Sequence, residues 1–287
     1  HLHFDPESAI GTFYSTLNLP IIGERPLTSI VNILKWLKAP YNKYTAIKTR
    51  EQRIKKLLDG SDNVVVLSPN YINPISRITD KNLANKIIAI ENPLSYTAHQ
   101  YHGNNKINEI IFVGRLTYTQ KRVDRVLKVW NLLNKEFPDW SLSIIGDGED
   151  RHRLERLSNK LKLERINFVG QQDPQPYYKR AKILLLTSNY EGTPMVIPEA
   201  MSFGVIPVVM NSFSAVTDII NDGCNGILTD AFDIKKMASQ IIYLINDSHL
   251  MEKLSQNALA TIQNMDSNYS LSKWNKLLLN ENATNIQ

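Results

Sequence analysis

Ser188-Asn-Tyr-Glu-Gly-Thr-Pro-Met-Val-Ile-Pro-Glu-Ala-Met-Ser-Phe-Gly204 lies between two apolar runs, Ile183-Leu-Leu-Leu186 and Val205-Ile-Pro-Val-Val209. Short apolar runs bounded by turn residues read as buried strands. The stretch between them reads as a polar loop and then a short helix stopped by Gly204. Strand, loop, helix and strand with tight connections make one unit of a parallel α/β sheet. Glu191 on the loop and Glu199 on the helix then stand at the carboxyl edge of the sheet, where such proteins bind ligands. Carboxylates at that edge suit a hydroxyl-rich ligand, and a helix start suits a phosphate.

The same alternation extends in both directions. Strands are predicted at Ile110–Val113, Ser141–Ile145, Ile166–Val169, Ile183–Thr187, Ile206–Val209 and Gly226–Leu228. Helices are predicted at Val123–Glu136, Arg151–Leu161, Pro176–Ala181, Met195–Phe203, Ala215–Asn221 and Ile234–Asn246, with two more from His249 to about Asn264 and from Ser270 to Leu279. That is a doubly wound parallel sheet. Upstream, Leu27–Leu37 and Thr45–Leu58 have helical periodicity, Asn63–Leu67 and Lys86–Ile90 read as strands, and Asp80–Asn85 as a short helix. Tyr96–Asn108 is polar and aperiodic, a linker. The expected division is residues 1–105 for an N-terminal domain with its linker, 106–265 for a ligand-binding domain, and 266–287 for a terminal helix and tail. The chain opens His1-Leu-His-Phe-Asp-Pro6 as though just past a strand, so an N-terminal segment is expected to be missing.

Of 287 residues, 43% are hydrophobic and 21% charged, enough to bury a core. A formal charge of +5 suits anionic ligands or a loose peripheral contact with an anionic membrane surface, but is too weak to point to nucleic acid. With Cys224 as the single cysteine, no internal disulfide can form, which fits a cytoplasmic setting, at the inner face of the membrane if peripheral contact is made. No apolar run is long enough to span a bilayer.

Phe112-Val-Gly-Arg-Leu116 puts Arg115 just past a strand, with Gly114 allowing close backbone approach, and Lys121 follows before the next helix. A guanidinium and an ammonium aimed into one crevice can neutralise a diphosphate while a bond to it breaks. Gly146-Asp-Gly-Glu-Asp150 follows the next strand. Its acidic spacing does not suit a metal-binding Asp-x-Asp, so no metal and no cofactor is expected, and Asp147 and Glu149 are expected to cap the following helix. Val169-Gly-Gln-Gln-Asp173 reads either as a base-contacting loop or as a plain strand-to-helix turn. Pro198 lacks a donor and crowds the carbonyl four residues back, so its helix should start after Met195.

Taken in order, Gly114-Arg115-Leu116 with Lys121, Gly146-Asp-Gly148, Phe168-Val-Gly170, Glu191-Gly-Thr-Pro194 through Glu199-Ala-Met-Ser-Phe-Gly204, and Asp222-Gly-Cys-Asn-Gly226 resemble the retaining GT-B glycosyltransferases of family 4. The resemblance implies two Rossmann-like domains facing across a cleft, the N-terminal one incomplete here. It implies a nucleotide-diphosphate sugar as donor and a glycan or lipid-linked acceptor, as in surface polysaccharide biosynthesis. By that analogy Arg115 and Lys121 hold the diphosphate, and backbone around Gly114, Gly192, Thr193, Pro194, Met195 and Val196 meets phosphate and sugar. Glu191 contacts the sugar and Glu199 the ribose, without a metal. His3-Phe-Asp-Pro6 is similar to the setting of a histidine that faces the reacting centre, His1 less so. Lys121 comes one residue later after Arg115 than is common in the family. A nucleotide-sugar 2-epimerase on a similar fold, and a non-catalytic nucleotide- or glycan-binding module, are the other readings.

Overall fold

The computed structural model describes residues 47–94, 106–263 and 267–279. The predicted helix over Leu27–Leu37 and residues 96–105 of the predicted linker lie outside them.

In the N-terminal unit a helix over residues 47–59 (α1) buries Ile54 and Leu58. It packs near a parallel pair, β1 (Val64–Val66) and β2 (Ile87–Ala89), in which Val64 faces Ile87. Lys86 ties α1 to β2, its ammonium donating to the carbonyls of Leu58 at 2.9 Å and Ser61 at 2.8 Å. Between the strands run a 3-10 turn (Pro69–Tyr71), α2 (Ile72–Ser76) and α3 (Lys81–Ala84). The turn has proline at its first position, where no N–H is needed, and Ser68 caps it by accepting from the Asn70 N–H at 3.1 Å.

The second unit is a six-stranded, all-parallel sheet. Its strands are β3 (Glu109–Val113), β4 (Ser141–Ile145), β5 (Ile166–Gly170), β6 (Ile183–Leu186), β7 (Ile206–Asn211) and β8 (Ile227–Asp230). They run across the sheet in the order β5-β4-β3-β6-β7-β8. The connecting helices are α4 (Val123–Leu133), α5 (Arg151–Lys160), α6 (Gln175–Arg180), α7 (Val196–Met201) and α8 (Val216–Ile219), followed by α9 (Ile234–Asn246), α10 (Ser248–Gln263) and α11 (Ser267–Leu278).

Residue pattern explains the layering. β3 and β6 are buried at every position, as strands covered on both faces must be. The edge strand β5 is mostly half-buried, with Asn167 exposed. α4 buries Val123, Val126, Leu127, Val129, Trp130 and Leu133, a stripe at helical spacing. Each such apolar side chain contributes about 2 kcal/mol on leaving water.

Among the described residues, the predicted strands and helices are all present within a few residues of their expected ends. The short helix α2 and the turn before it were not anticipated. α11 is not an appended tail: Lys273, nearly buried, reaches back to the N-terminal unit and pairs with Glu91 at 3.0 Å.

Candidate functional site

The strand order reverses between β3 and β6, and Ile110 and Ile111 pair there with Ile183 and Leu184. The loops leaving these two strands diverge and open a crevice at the carboxyl edge of the sheet. One carries Gly114, Arg115 and Lys121, and the other carries Glu191 to Met195. Local bonds lock them together. The Asn189 N–H donates to the Gln120 carbonyl at 2.7 Å, the Asn189 amide to Thr119 at 2.8 Å, and the Arg125 guanidinium to Thr187 at 2.9 Å.

Behind the first loop lies the Gly146-Asp-Gly148 turn, whose role is backbone packing. The Gly114 N–H donates to Ile145, Leu116 to Asp147, and Asp150 back to Leu116. A methyl group on Gly146 would sit 2.0 Å from the Gly114 carbonyl oxygen, so the turn supports the Arg115 loop only if residue 146 has no side chain. The expected capping does not hold in its simple form. Asp150 is the N-cap of α5 but makes no side-chain cap bond. Its carboxylate turns to the Tyr118 N–H at 2.6 Å. Asp147 accepts from Gly148 and pairs with Arg151 at 2.9 Å. The Gly170–Asp173 loop is a turn into α6, with Asp173 accepting from the Gln175 N–H at 3.0 Å.

The polar cluster between these loops centres on Glu191, which is only 4% exposed. Its Oε1 accepts from the Lys121 ammonium at 2.7 Å and from the Ser188 hydroxyl at 2.6 Å, while Oε2 takes the Gln120 amide at 3.3 Å. Sequence spacing placed Lys121 and Glu191 on the same edge; the structure pairs them directly. Arg115, on the same loop as Lys121, is exposed, and among the described residues its guanidinium has no hydrogen-bond or ion-pair partner. Two further arginines add positive charge. Arg122, at φ 51°, forks onto Asp124 and is held above the ordinary arginine range, although burial opposes its charge. Arg125 is lowered to about 10 by burial and by the neighbouring Arg122 charge.

Glu199 sits at the fourth position of α7, which starts at Val196, as Pro198 requires. Proline there falls in the first turn, where the N–H has no helical partner. Pro194 accepts from Ile197 at 3.0 Å and Met195 from Glu199 at 3.0 Å. Tyr178 of α6, fully buried and stacked on Phe203, donates its hydroxyl to Glu199 Oε2 at 3.1 Å. This fixes the carboxylate through one of its two oxygens.

The N-terminal unit also reaches this loop. Tyr71, 1% exposed, donates its hydroxyl to the carbonyls of Glu191, at 3.0 Å, and Gly192. The Thr193 hydroxyl donates to the Leu67 carbonyl at 3.3 Å. A cavity of about 460 Å³ lies on this side of the loop, lined by Thr193, Met195, Pro198 and Asp218 of the second unit and by Ser68 and Glu91 of the N-terminal unit. Burial pushes the Asp218 carboxyl up, against the Ser68 hydroxyl bond, and the Glu91 charge adds to the rise. His3 lies outside the described residues. Tyr71 and Tyr178 went unnoticed in the sequence because a lone tyrosine beside apolar residues reads as core. Among the described residues no group of three or more His, Cys, Asp or Glu side chains converges as metal ligands would. None of their helices is long and apolar enough to cross a membrane.

A family model described as glycosyl transferases group 1 matches residues 98–261. An uncharacterized glycosyltransferase of Haemophilus influenzae is 31% identical over 69% of this chain and 57% of its own length. The amylovoran biosynthesis glycosyltransferase AmsD of Erwinia amylovora is 27% identical over 82% of this chain and 68% of its own length. Among solved structures, S. aureus TarM in complex with Fondaparinux, α-GlcNAc-glycerol and UDP is 25% identical, with a TM-score of 0.72 over 80% of this chain and 46% of that one. The apo form of the lipopolysaccharide outer core galactosyltransferase WaaB gives 0.62 at 25% identity over 77% of this chain and 63% of that one. The chain thus spans about half to two thirds of the length of the proteins it matches.

Proposed function

Because this chain belongs to the glycosyl transferases group 1 family, with the α/β parallel-sheet architecture of GT-B enzymes, we propose that it supplies the donor side of a retaining, metal-independent hexosyltransferase. The donor is a nucleotide-diphosphate sugar. A uridine base is favoured by the UDP held in the TarM structure. The acceptor is a growing glycan, lipid-linked at a membrane surface, in polysaccharide biosynthesis. Relatives named for amylovoran synthesis and for lipopolysaccharide galactosyl transfer support that setting.

The observation that carries the reading is the Lys121–Glu191 pair at 2.7 Å across the switch-point loops, with Arg115 exposed on the same loop as Lys121. In the proposed reaction the bond between the anomeric carbon and the distal phosphate oxygen breaks, and negative charge gathers on the diphosphate. Arg115 and Lys121 meet that charge. The acceptor hydroxyl oxygen bonds to the anomeric carbon on the face the phosphate leaves, and its proton passes to the departing phosphate. Lys121 has three donors, so it can hold Glu191 and a phosphate oxygen together. Glu191 Oε1 already takes two donors, which suits a fixed positioner of sugar hydroxyls better than a nucleophile. Glu199, oriented by Tyr178, accepts from the ribose hydroxyls.

The test is substitution in a full-length enzyme. Glu199→Ala is expected to weaken nucleotide binding about tenfold to a hundredfold, the worth of hydrogen bonds to a charged acceptor. Arg115→Ala is expected to lower transfer by about a hundredfold or more. Unchanged transfer in both variants would overturn the assignment.

A further inference from the structure

We propose that Tyr71 is a positioning residue for the donor: the segment Leu67–Tyr71 of the N-terminal unit is a strut that sets the Glu191–Thr193 loop of the other unit. This rests on the reading of that loop as the seat of the distal phosphate and sugar.

The strut is short and stiff. Its backbone is pinned by Pro69 and by the Ser68 cap. On one side it holds the loop itself, through the Tyr71 hydroxyl on the Glu191 and Gly192 carbonyls and the Leu67 carbonyl under Thr193. On the other side it grips α8. The Asn70 amide donates to Asp218 Oδ1 at 2.6 Å and to the Thr217 hydroxyl at 3.1 Å, and the Ser68 hydroxyl donates to Asp218 Oδ2. It is therefore wedged between the elements that follow β6 and β7.

One hydroxyl carries one proton, so the two carbonyls share it. Without it, two carbonyl oxygens at a buried position lose a donor and are free to turn. A peptide turn at Glu191–Gly192 would redirect the backbone that leads into Thr193 and Met195, and with it the contacts to the distal phosphate. Glu199 is held separately by Tyr178, from within its own unit. The two halves of the donor are thus positioned by different tyrosines from different units.

Calorimetric titration with uridine monophosphate and uridine diphosphate separates these effects. In Tyr71→Phe the diphosphate is expected to bind about tenfold more weakly, with the monophosphate changed less than twofold. Thr193→Val, which removes the other bond to the strut, is expected to shift the same ratio and stands in if Tyr71→Phe does not fold. Ser143→Ala breaks a buried bond to Glu109 within the sheet and is expected to leave the ratio unchanged, although it lowers stability. Equal weakening of both nucleotides in the strut variants, or an unchanged ratio, would overturn the proposal while leaving the donor site in place. A wild-type chain that binds neither nucleotide would overturn the donor reading and the strut together.

Discussion

Gly146 tests the packing of the switch-point loops at a single atom. Its φ of 134° and the Gly114 oxygen against it leave no room for a β-carbon. Gly146→Ala is expected to cost roughly 2–4 kcal/mol, seen as a lower urea midpoint with an unchanged m-value. Lys121→Met leaves Glu191 buried with two neutral donors and no cation. It is expected to destabilise by about 3 kcal/mol, and adding Glu191→Gln should recover part of that loss in the same urea measurement. The residue types at this edge were legible in the sequence: a Gly-Arg pair, a lysine, two glutamates. Their pairing was not. Lys121 and Glu191 meet only because β3 and β6 are neighbours, and strand order is a long-range property that local pattern does not carry. The structural role of Gly146 was hidden for the same reason, since the atom that excludes a side chain belongs to another loop.

At the scale of elements, local chemistry was the better guide. Pro198 alone placed the start of α7, because a missing N–H is harmless in the first turn and costly beyond it. Pro198→Ala is accordingly expected to change stability by about 1 kcal/mol or less, whereas Ala200→Pro, two positions on, should cost about 3 kcal/mol or more. Thermal denaturation of the two variants side by side checks the assignment. Capping was misjudged at α5. Acidic residues before a helix usually serve its own N–H groups, but Asp147, one of the two expected caps, turns to Gly148 and Arg151, while the N-cap is Asp150, whose carboxylate is drawn to Tyr118 on a neighbouring loop. The 3-10 turn and α2 were missed because six residues in Ser68–Ser76 are Ser, Pro or Asn types that local pattern assigns to loop; the turn is held by contact with the second unit through Asn70 and Tyr71.

Across the whole molecule, one half-buried lysine ties stability to pH. Lys106, just before β3, donates its amine to the carbonyls of Ala181 at 2.6 Å and Tyr178 at 3.3 Å, at the end of α6. Burial, helped by the Lys182 charge, lowers it from 10.5 to about 7. Below about 7 the amine is charged in both folded and unfolded chains and the cost of burying it is constant. Between about 7 and 10.5 the unfolded chain keeps a proton that the folded chain has released. Stability should therefore rise with pH in that window, by at most about 1.4 kcal/mol per unit from this group. Urea midpoints at several pH values should diverge between the wild type and Lys106→Met below neutrality and converge as the solution becomes alkaline.

The strand order has a consequence for how the protein is made. Every neighbouring pair in the large sheet joins residues close in sequence, except β3 with β6, whose partners Ile110 and Ile183 are the most distant. Closing that seam carries the largest entropic cost. Two three-stranded halves, β3-β4-β5 and β6-β7-β8, can each gather locally as the chain leaves the ribosome, and their docking comes last. On the proposed donor reading the crevice is that seam, so a nucleotide would recognise only the finished sheet and none of its parts. Pulse-labelled hydrogen exchange during refolding should show the β3 and β6 amides that bond across the seam protected after those between β7 and β8, and nucleotide should slow unfolding without hastening the early protection.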